Sequence, residues 1–285
     1  MGAAEPGLPL LGARLHGWLS SELDTGRGFA VLRGIDLPPV DVDYAYRVNW
    51  ILALGLGEVI AQNANGEVIG AVQAVVDADD NGLNTRGYVS NAELRFHCDG
   101  GDVASLLCVR QAPEGGMSSL VSMVSIHNAM ANECPHHLET LYRGLSLYMR
   151  KEGDLDGVAL PRQPLFYPRE DHLLAFINLR LLELPYEASG DPMPPAEREA
   201  LDALEEIAER PEYKLTFKLQ PGTCRHHHAV CMHKRSRFVD DPDPDKSRLM
   251  LRLWYNLPDG RVAALQPPEM RAGYFTQAPY VIRHR

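Results

Sequence analysis

The stretch RFHCDGGDVASLLCVRQAPEGGMSSLVS, Arg95 to Ser122, decides how this chain is read. Near its start, His97 and Asp99 are separated by one residue. On an extended strand successive side chains alternate between faces, so residues two apart point the same way. An imidazole nitrogen and a carboxylate oxygen would then aim at one point, two of the three ligands of a 2-His-1-carboxylate iron site. Cys98 between them points the other way and reads as packing. Gly100 and Gly101 leave space beside the pair, for a ligand or for a turn. ASLLCVR (104–110) is strand-like, Pro113-Glu114-Gly115-Gly116 is a turn, and SSLVSM is the expected partner strand of 104–110, with a helix starting near Ser125.

The third ligand must come from elsewhere, and the chain offers eleven histidines. His16, His172 and His284 are isolated and read as structural or surface residues. His127, His136 and His137 lie on or beside a predicted helix, where they cap or face solvent. In the run His226-His227-His228 only residues 226 and 228 share a strand face, and three adjacent ligands to one ion are sterically disfavoured. His233 is better placed. It follows a glycine turn and a strand, and precedes the acidic loop DDPDPD (240–245) and a further strand carrying Arg248 and Arg252. Those arginines are four residues apart, so a strand points both to one face. An arginine fork is the usual grip on a planar carboxylate. The competing reading is a pair bridging to the acidic loop, worth little if exposed.

Around these motifs the pattern is mainly β with flanking helices. Helical spacing covers residues 10–23 and about 42–56, and AEREALDALEEIAER (196–210) is the strongest helix, opened by Pro194-Pro195. Strand-like runs are FAVLRGI, EVIAQ and EVIGAVQAVV about the Asn65-Gly66 hairpin signal, LSLYMR, LLAFINL, KLTFKLQ, RHHHAVCMH and LMLRLWYNL, the last ending before a turn at Pro258-Asp259-Gly260. With no repeat or linker, residues 1–285 are expected to form one domain, an antiparallel barrel or jelly roll with helices packed against it.

Composition narrows the partners. A net charge of −10 argues against nucleic acid, which selects basic surfaces. No apolar run approaches the ~18 residues of a membrane span, and the N-terminus lacks the basic and apolar regions of a signal peptide. Five cysteines with no CxxC spacing read as free thiols in a reducing, cytoplasmic compartment. The expected partner is a small-molecule substrate, and a homo-oligomer is left open.

The ordered set His97-x-Asp99, PEGGMSS (113–119), His233 and Arg248-x-x-x-Arg252-Leu-Trp resembles the iron(II)- and 2-oxoglutarate-dependent dioxygenases of the TauD/TfdA family. The similarity extends over GFAVLRGIDL (28–37), ELRFHCDGGDV (93–103), LLCVRQAPEGGMSSLVS (106–122) and HKRSRFVDDPDPDKSRLMLRLWYNLPDG (233–260). The resemblance implies a double-stranded β-helix (jelly-roll) core with His97, Asp99 and His233 as iron ligands. It implies that Ser118 hydrogen-bonds a 2-oxoglutarate carboxylate and that Arg248, fifteen residues beyond His233, grips the same group. Arg252 matches a second arginine whose allegiance, cosubstrate or substrate, differs among relatives. Asn91 resembles a pocket residue, and equally a turn residue before a strand. Where close relatives tend to carry Asn-Asn, this chain has His227-His228. Asp99 separates it from the superfamily's halogenases, which have a small residue there.

The implied activity couples decarboxylation of 2-oxoglutarate to succinate and CO2 with O2-dependent oxidation of an unactivated C–H bond. Hydroxylation of a small polar metabolite, such as an amino acid or a biosynthetic intermediate, is the leading expectation. Desaturation or cyclisation with the same cofactors, and a non-catalytic binding module of the same fold, are the alternatives. A zinc hydrolase would not explain the arginine strand.

Overall fold

The computed structural model describes residues 7–38, 41–54, 56–63, 65–76, 85–150, 157–169 and 172–257. His284 and the turn at Pro258-Asp259-Gly260 lie outside them. Two antiparallel sheets enclose the site. Their strands are β1 (Phe29–Leu32), β2 (Glu58–Ile60), β3 (Ile69–Val72), β4 (Leu94–His97), β5 (Val103–Arg110), β6 (Ser118–Ser122), β7 (Lys214–Phe217), β8 (Thr223–His228), β9 (Cys231–Arg235) and β10 (Leu249–Asn256). The larger sheet runs β1-β8-β5-β10-β2, with β3 also paired to β10, and the smaller runs β7-β6-β9-β4.

The chain repeatedly crosses between the sheets. It passes from β4 to β5 through Asp99, from β5 to β6 through residues 111–117, and from β8 to β9 through Ala229-Val230. Mainly antiparallel strands crossing in this way form the jelly roll expected from the strand pattern.

Helices cover the outer faces. On α1 (Gly7–Asp24) and α2 (Val42–Ala53), Leu19, Leu23, Ala45 and Ala53 pack on Leu107, Leu251 and Leu253 of the larger sheet. On the smaller sheet, Phe96, Val121 and Met232 meet α3 (Met123–Glu133), α4 (Pro135–Arg143), α5 (Leu179–Ser189) and α6 (Pro195–Glu209). Each fully buried leucine or isoleucine there contributes about 1.5–3 kcal/mol relative to exposure. The helix starts are written locally. Asp41 and Ser122 accept hydrogen bonds from the backbone N–H groups of Tyr44 and Ser125, and α6 opens on a proline, which has no N–H in need of an acceptor.

Several expectations change. SSLVSM is not the partner of 104–110: β5 lies between β8 and β10, while β6 belongs to the other sheet. The Pro113–Gly116 turn is therefore an inter-sheet crossover, with Glu114–Gly115 pairing Phe238–Val239. The strands around Asn65-Gly66 do not ladder with each other; β2 and β3 occupy successive parts of β10. LLAFINL ends its strand at Ala175, and α5 begins at Leu179 behind an Asn178 cap. LSLYMR and FAVLRGI shrink to Tyr148–Met149 and Phe29–Leu32.

Candidate metal and cosubstrate site

Strand register brings the three expected ligands together. On the β9/β4 pair His233 stands directly opposite His97, and their ring centroids are 4.1 Å apart. Asp99 lies two residues beyond His97, just where the chain leaves β4 for β5. Gly101 makes that crossover with φ +72, and a Cβ on Gly100 would come within 3.0 Å of the Trp254 ring. One ligand atom from each of His97, Asp99 and His233 lies within 4.8 Å of the others. His97 and His233 are 6% and 7% exposed, so the set faces an interior cavity.

Hydrogen bonds decide which ring atoms are presented. The Arg95 carbonyl, 2.8 Å from His97 Nδ1, can only accept, which places the proton on Nδ1 and leaves Nε2 bare. His233 Nε2 lies 3.4 Å from Asp99 Oδ2, while its Nδ1 lies 2.9 Å from His227 Nε2. With Nε2 as the ligand atom, Nδ1–H donates to His227. Such outer partners orient ligating imidazoles.

The electrostatics favour a metal-ready state. Burial pushes the pKa of both His97 and His233 down, so the rings are neutral donors near neutral pH. Burial alone would raise the Asp99 carboxyl, but Arg252 and the surrounding cationic and imidazole groups overcome it and leave its pKa lowered. Two neutral imidazoles and an ionised carboxylate converging on one point fit an iron(II) ion. Cys98 turns away, its Sγ against the Ala229 carbonyl, as strand alternation requires.

The two arginines of β10 both line the cavity, and their surroundings differ. Arg252 donates from Nη1 to Asp99 Oδ1 at 2.9 Å and from Nε to Gln62 Oε1 at 2.7 Å, with its guanidinium over the Tyr88 and Trp254 rings. It is occupied in holding Asp99. Arg248 donates from Nε to Gln111 at 3.3 Å and stacks on Phe238, while its Nη1 is buried with no partner. Neither guanidinium pairs with the acidic loop among the described residues; the loop's Asp240 accepts from the backbone N–H groups of Arg248 and Asp241. Ser118 is buried and stands opposite Arg235 in the β9/β6 register. Arg235 stacks on Phe238 beside Arg248, donates to the Ser90 and Ala92 carbonyls, and leaves Nε and Nη1 unpaired. Ser118, Arg235 and Arg248 thus gather donors where one carboxylate fits.

The remaining histidines divide as the strand period demands. His226 packs against Tyr255 on the outer side of β8, and His228 Nδ1 accepts from the Val230 N–H. His227 alone of the three turns inward. His127 bonds the Tyr142 hydroxyl, and His136 and His137 lie on α4. The Asn91 amide oxygen is buried without a partner, outside the residues that line the cavity. Sequence reading missed Arg225, Arg235 and Gln62. Arg235 stands two residues after His233, and Arg225 two before His227, so alternation along β9 and β8 could have found both.

The FR-33289 synthase of Streptomyces rubellomurinus is 33% identical over 84% of this chain and 72% of its own length. The taurine hydroxylase-like protein SAT17 of Stachybotrys chartarum is 27% identical over 86% of this chain and 65% of its length. Among solved structures, an asparagine oxygenase in complex with Fe(II), 3-hydroxyasparagine and succinate superposes with a TM-score of 0.65 at 20% identity, covering 87% of this chain and 79% of that one. The non-heme iron oxygenase OrfP, in complex with Fe, succinate and (3S)-hydroxy-L-Arg, gives 0.62 at 16% identity, covering 87% and 82%. At such identities these two share the fold. A family profile described as "Taurine catabolism dioxygenase TauD, TfdA family" matches residues 8–254, and the chain belongs to that TauD/TfdA family of dioxygenases.

Proposed function

We propose that this chain is an iron(II)- and 2-oxoglutarate-dependent dioxygenase that hydroxylates an unactivated C–H bond of a small polar metabolite. The observation that carries the reading is the meeting of His97, Asp99 and His233 beside the unpaired donors of Ser118, Arg235 and Arg248. Iron(II) with 2-oxoglutarate and O2 supplies the oxidation, which releases succinate and CO2. The chain supplies geometry and charge.

His97 Nε2, His233 Nε2 and Asp99 Oδ2 would hold the metal, Asp99 Oδ1 being occupied by Arg252. Arg248 and Ser118 receive the distal cosubstrate carboxylate. Arg235, sharing the Phe238 ring with Arg248, adds charge there. Leu106, Cys108 and Met250 form the apolar wall between the sheets and limit water.

An asparagine oxygenase, OrfP in complex with (3S)-hydroxy-L-Arg and the FR-33289 synthase among the similar proteins support an amino acid or biosynthetic intermediate as substrate class. Among the described residues no helix is long and apolar enough to cross a membrane. Five free cysteines support a reducing, cytoplasmic setting.

The test is spectroscopic. Fe(II) and 2-oxoglutarate added without oxygen should give the weak visible charge-transfer band of a chelated cosubstrate, absent in His97→Ala and in Asp99→Ala. A band that survives in both variants refutes the metal assignment. A succinate-release screen with mass analysis of the consumed compound then separates hydroxylation from desaturation or cyclisation.

A further inference from the structure

Arg225 sits in the middle of β8 with 2% exposure, and its side chain lines the same cavity as the metal ligands. It makes no hydrogen bond or ion pair with the described residues, and its Nε is buried without a partner. Burial pushes its pKa only down to about 10, so it remains a cation at neutral pH. Asp99 acts on it through space, yet a buried cation with no hydrogen-bond partner is a costly arrangement for a fold to hold, and something outside the chain can complete it.

The position says what that something faces. In the larger sheet Arg225 pairs with Leu106, and Leu106 pairs on its other side with Arg252. The two arginines therefore flank Leu106 in one inward row, about 10 Å apart at two strand spacings. Two residues further along the same face of β8, His227 bonds the ligand His233. Arg225 is thus at the metal end of the cavity, whereas Arg248 and Ser118 form the distal carboxylate site. Among the described residues that line the cavity, Asp99 is the one carboxylate, and it is held by Arg252. Lys234, also lining, is paired with Glu93 and Glu209. Ferrous iron with Asp99 takes one cosubstrate carboxylate, and Arg248 with Arg235 takes the other. Positive charge remains in excess, and Arg225 is the cation within it that makes no hydrogen bond or ion pair.

We propose that the prime substrate is an anion and that Arg225 receives its oxyanion group beside the metal. This rests on the dioxygenase reading above and deepens it. A carboxylate, a sulfonate or a phosphoryl-type group would each present the oxygens a guanidinium binds, and the substrate screen distinguishes them.

The experiment titrates the Fe(II)·2-oxoglutarate form of the full chain with sodium sulfate under anaerobic conditions, ionic strength being held with sodium chloride. The wild type should show a saturable shift of the charge-transfer band and a rise in melting temperature. In Arg225→Met the sulfate midpoint should weaken at least about thirty-fold, with Arg225→Lys between the two. The 2-oxoglutarate midpoint should move less than about threefold in both variants. In a succinate-release screen the carboxylic, sulfonic and phosphoric acids should be active and the matched amides and amines silent. Ligand-free Arg225→Met should melt no lower than wild type, because it removes an unpaired buried charge.

Four results overturn the proposal. Sulfate could bind wild type and Arg225→Met alike, or 2-oxoglutarate affinity could fall together with sulfate affinity, making Arg225 a cosubstrate residue. A neutral compound could be turned over equally well by both proteins. A sharp loss of melting temperature in Arg225→Met would equally refute it, by revealing a structural partner. A missing band in the wild type, seen before any sulfate is added, refutes the dioxygenase reading itself.

Discussion

Replacing His227 by phenylalanine should weaken metal binding without unfolding the protein. The ring sits edge-on to His233, with centroids 4.4 Å apart at 70°, so a phenyl group keeps the contact and removes only the nitrogen that faces His233 Nδ1 at 2.9 Å. His233 would then carry a buried N–H with no acceptor. A buried unsatisfied donor costs about 1–3 kcal/mol. Loss of an outer partner of a ligating histidine typically costs about 10–100-fold in metal affinity, about 1.4–2.7 kcal/mol. The two routes agree, and a 10–100-fold rise in the Fe(II) dissociation constant is expected, measured by anaerobic titration at saturating 2-oxoglutarate. His227→Asn retains a side-chain carbonyl acceptor and should stay within about fivefold of wild type. Wild-type metal affinity in His227→Phe would refute the reasoning. So would equal losses in the Phe and Asn variants, because the acceptor would then not be what matters.

Arg248→Ala should raise the 2-oxoglutarate requirement at least about thirtyfold, the loss typical of truncating one side of a buried charge pair, while changing Fe(II) affinity little; equal losses in both titrations would count against its role. Phe238→Ala should impair cosubstrate binding and cost about 3–5 kcal/mol in urea unfolding, since both Arg235 and Arg248 stack on that fully buried ring. The ligand-free protein should lose stability as pH falls from about 6.5 toward 4. Burial holds His226 down at about 4 against an ordinary value of 6.5, so the unfolded chain takes up protons that the fold refuses. His97, His227 and His233 are shifted in the same direction, and a urea midpoint that rises between pH 7 and pH 5 would contradict this.

The metal triad was legible because its code is short-range. His97 and Asp99 declare a shared face by strand alternation alone, and His233 was singled out by the strand, loop and arginines around it. The larger architecture was less legible wherever turn chemistry was asked to name a partner. Gly115 and Gly116 do adopt φ +71 and +66, as a tight turn requires, and a side chain on Gly115 would collide with the Arg237 carbonyl. Yet that turn carries the chain into the opposite sheet, and nothing local distinguishes it from a hairpin. Likewise the apolar run before Leu179 cannot reveal that Asn178 caps a helix, since a short buried strand and a buried helix start share one composition.

Buried charge was the least legible part of the site. The sequence left Arg252 open between cosubstrate and substrate, and the structure pairs it with Asp99 and with Gln62, a partner that strand alternation does not name. Arg225, Arg235 and Arg248 retain unpaired nitrogens, and each is turned toward the space between the sheets. If that space were merely a core, apolar residues of similar volume would serve as well or better, and the cationic cluster would be a pure cost. The cost becomes intelligible when the missing anions are the molecules the enzyme handles. Saturating 2-oxoglutarate should therefore raise the melting temperature of wild type well above that of Arg248→Ala, whose cavity has lost one of the charges awaiting it. Equal rises in the two proteins would show that these arginines serve the fold and not its ligands.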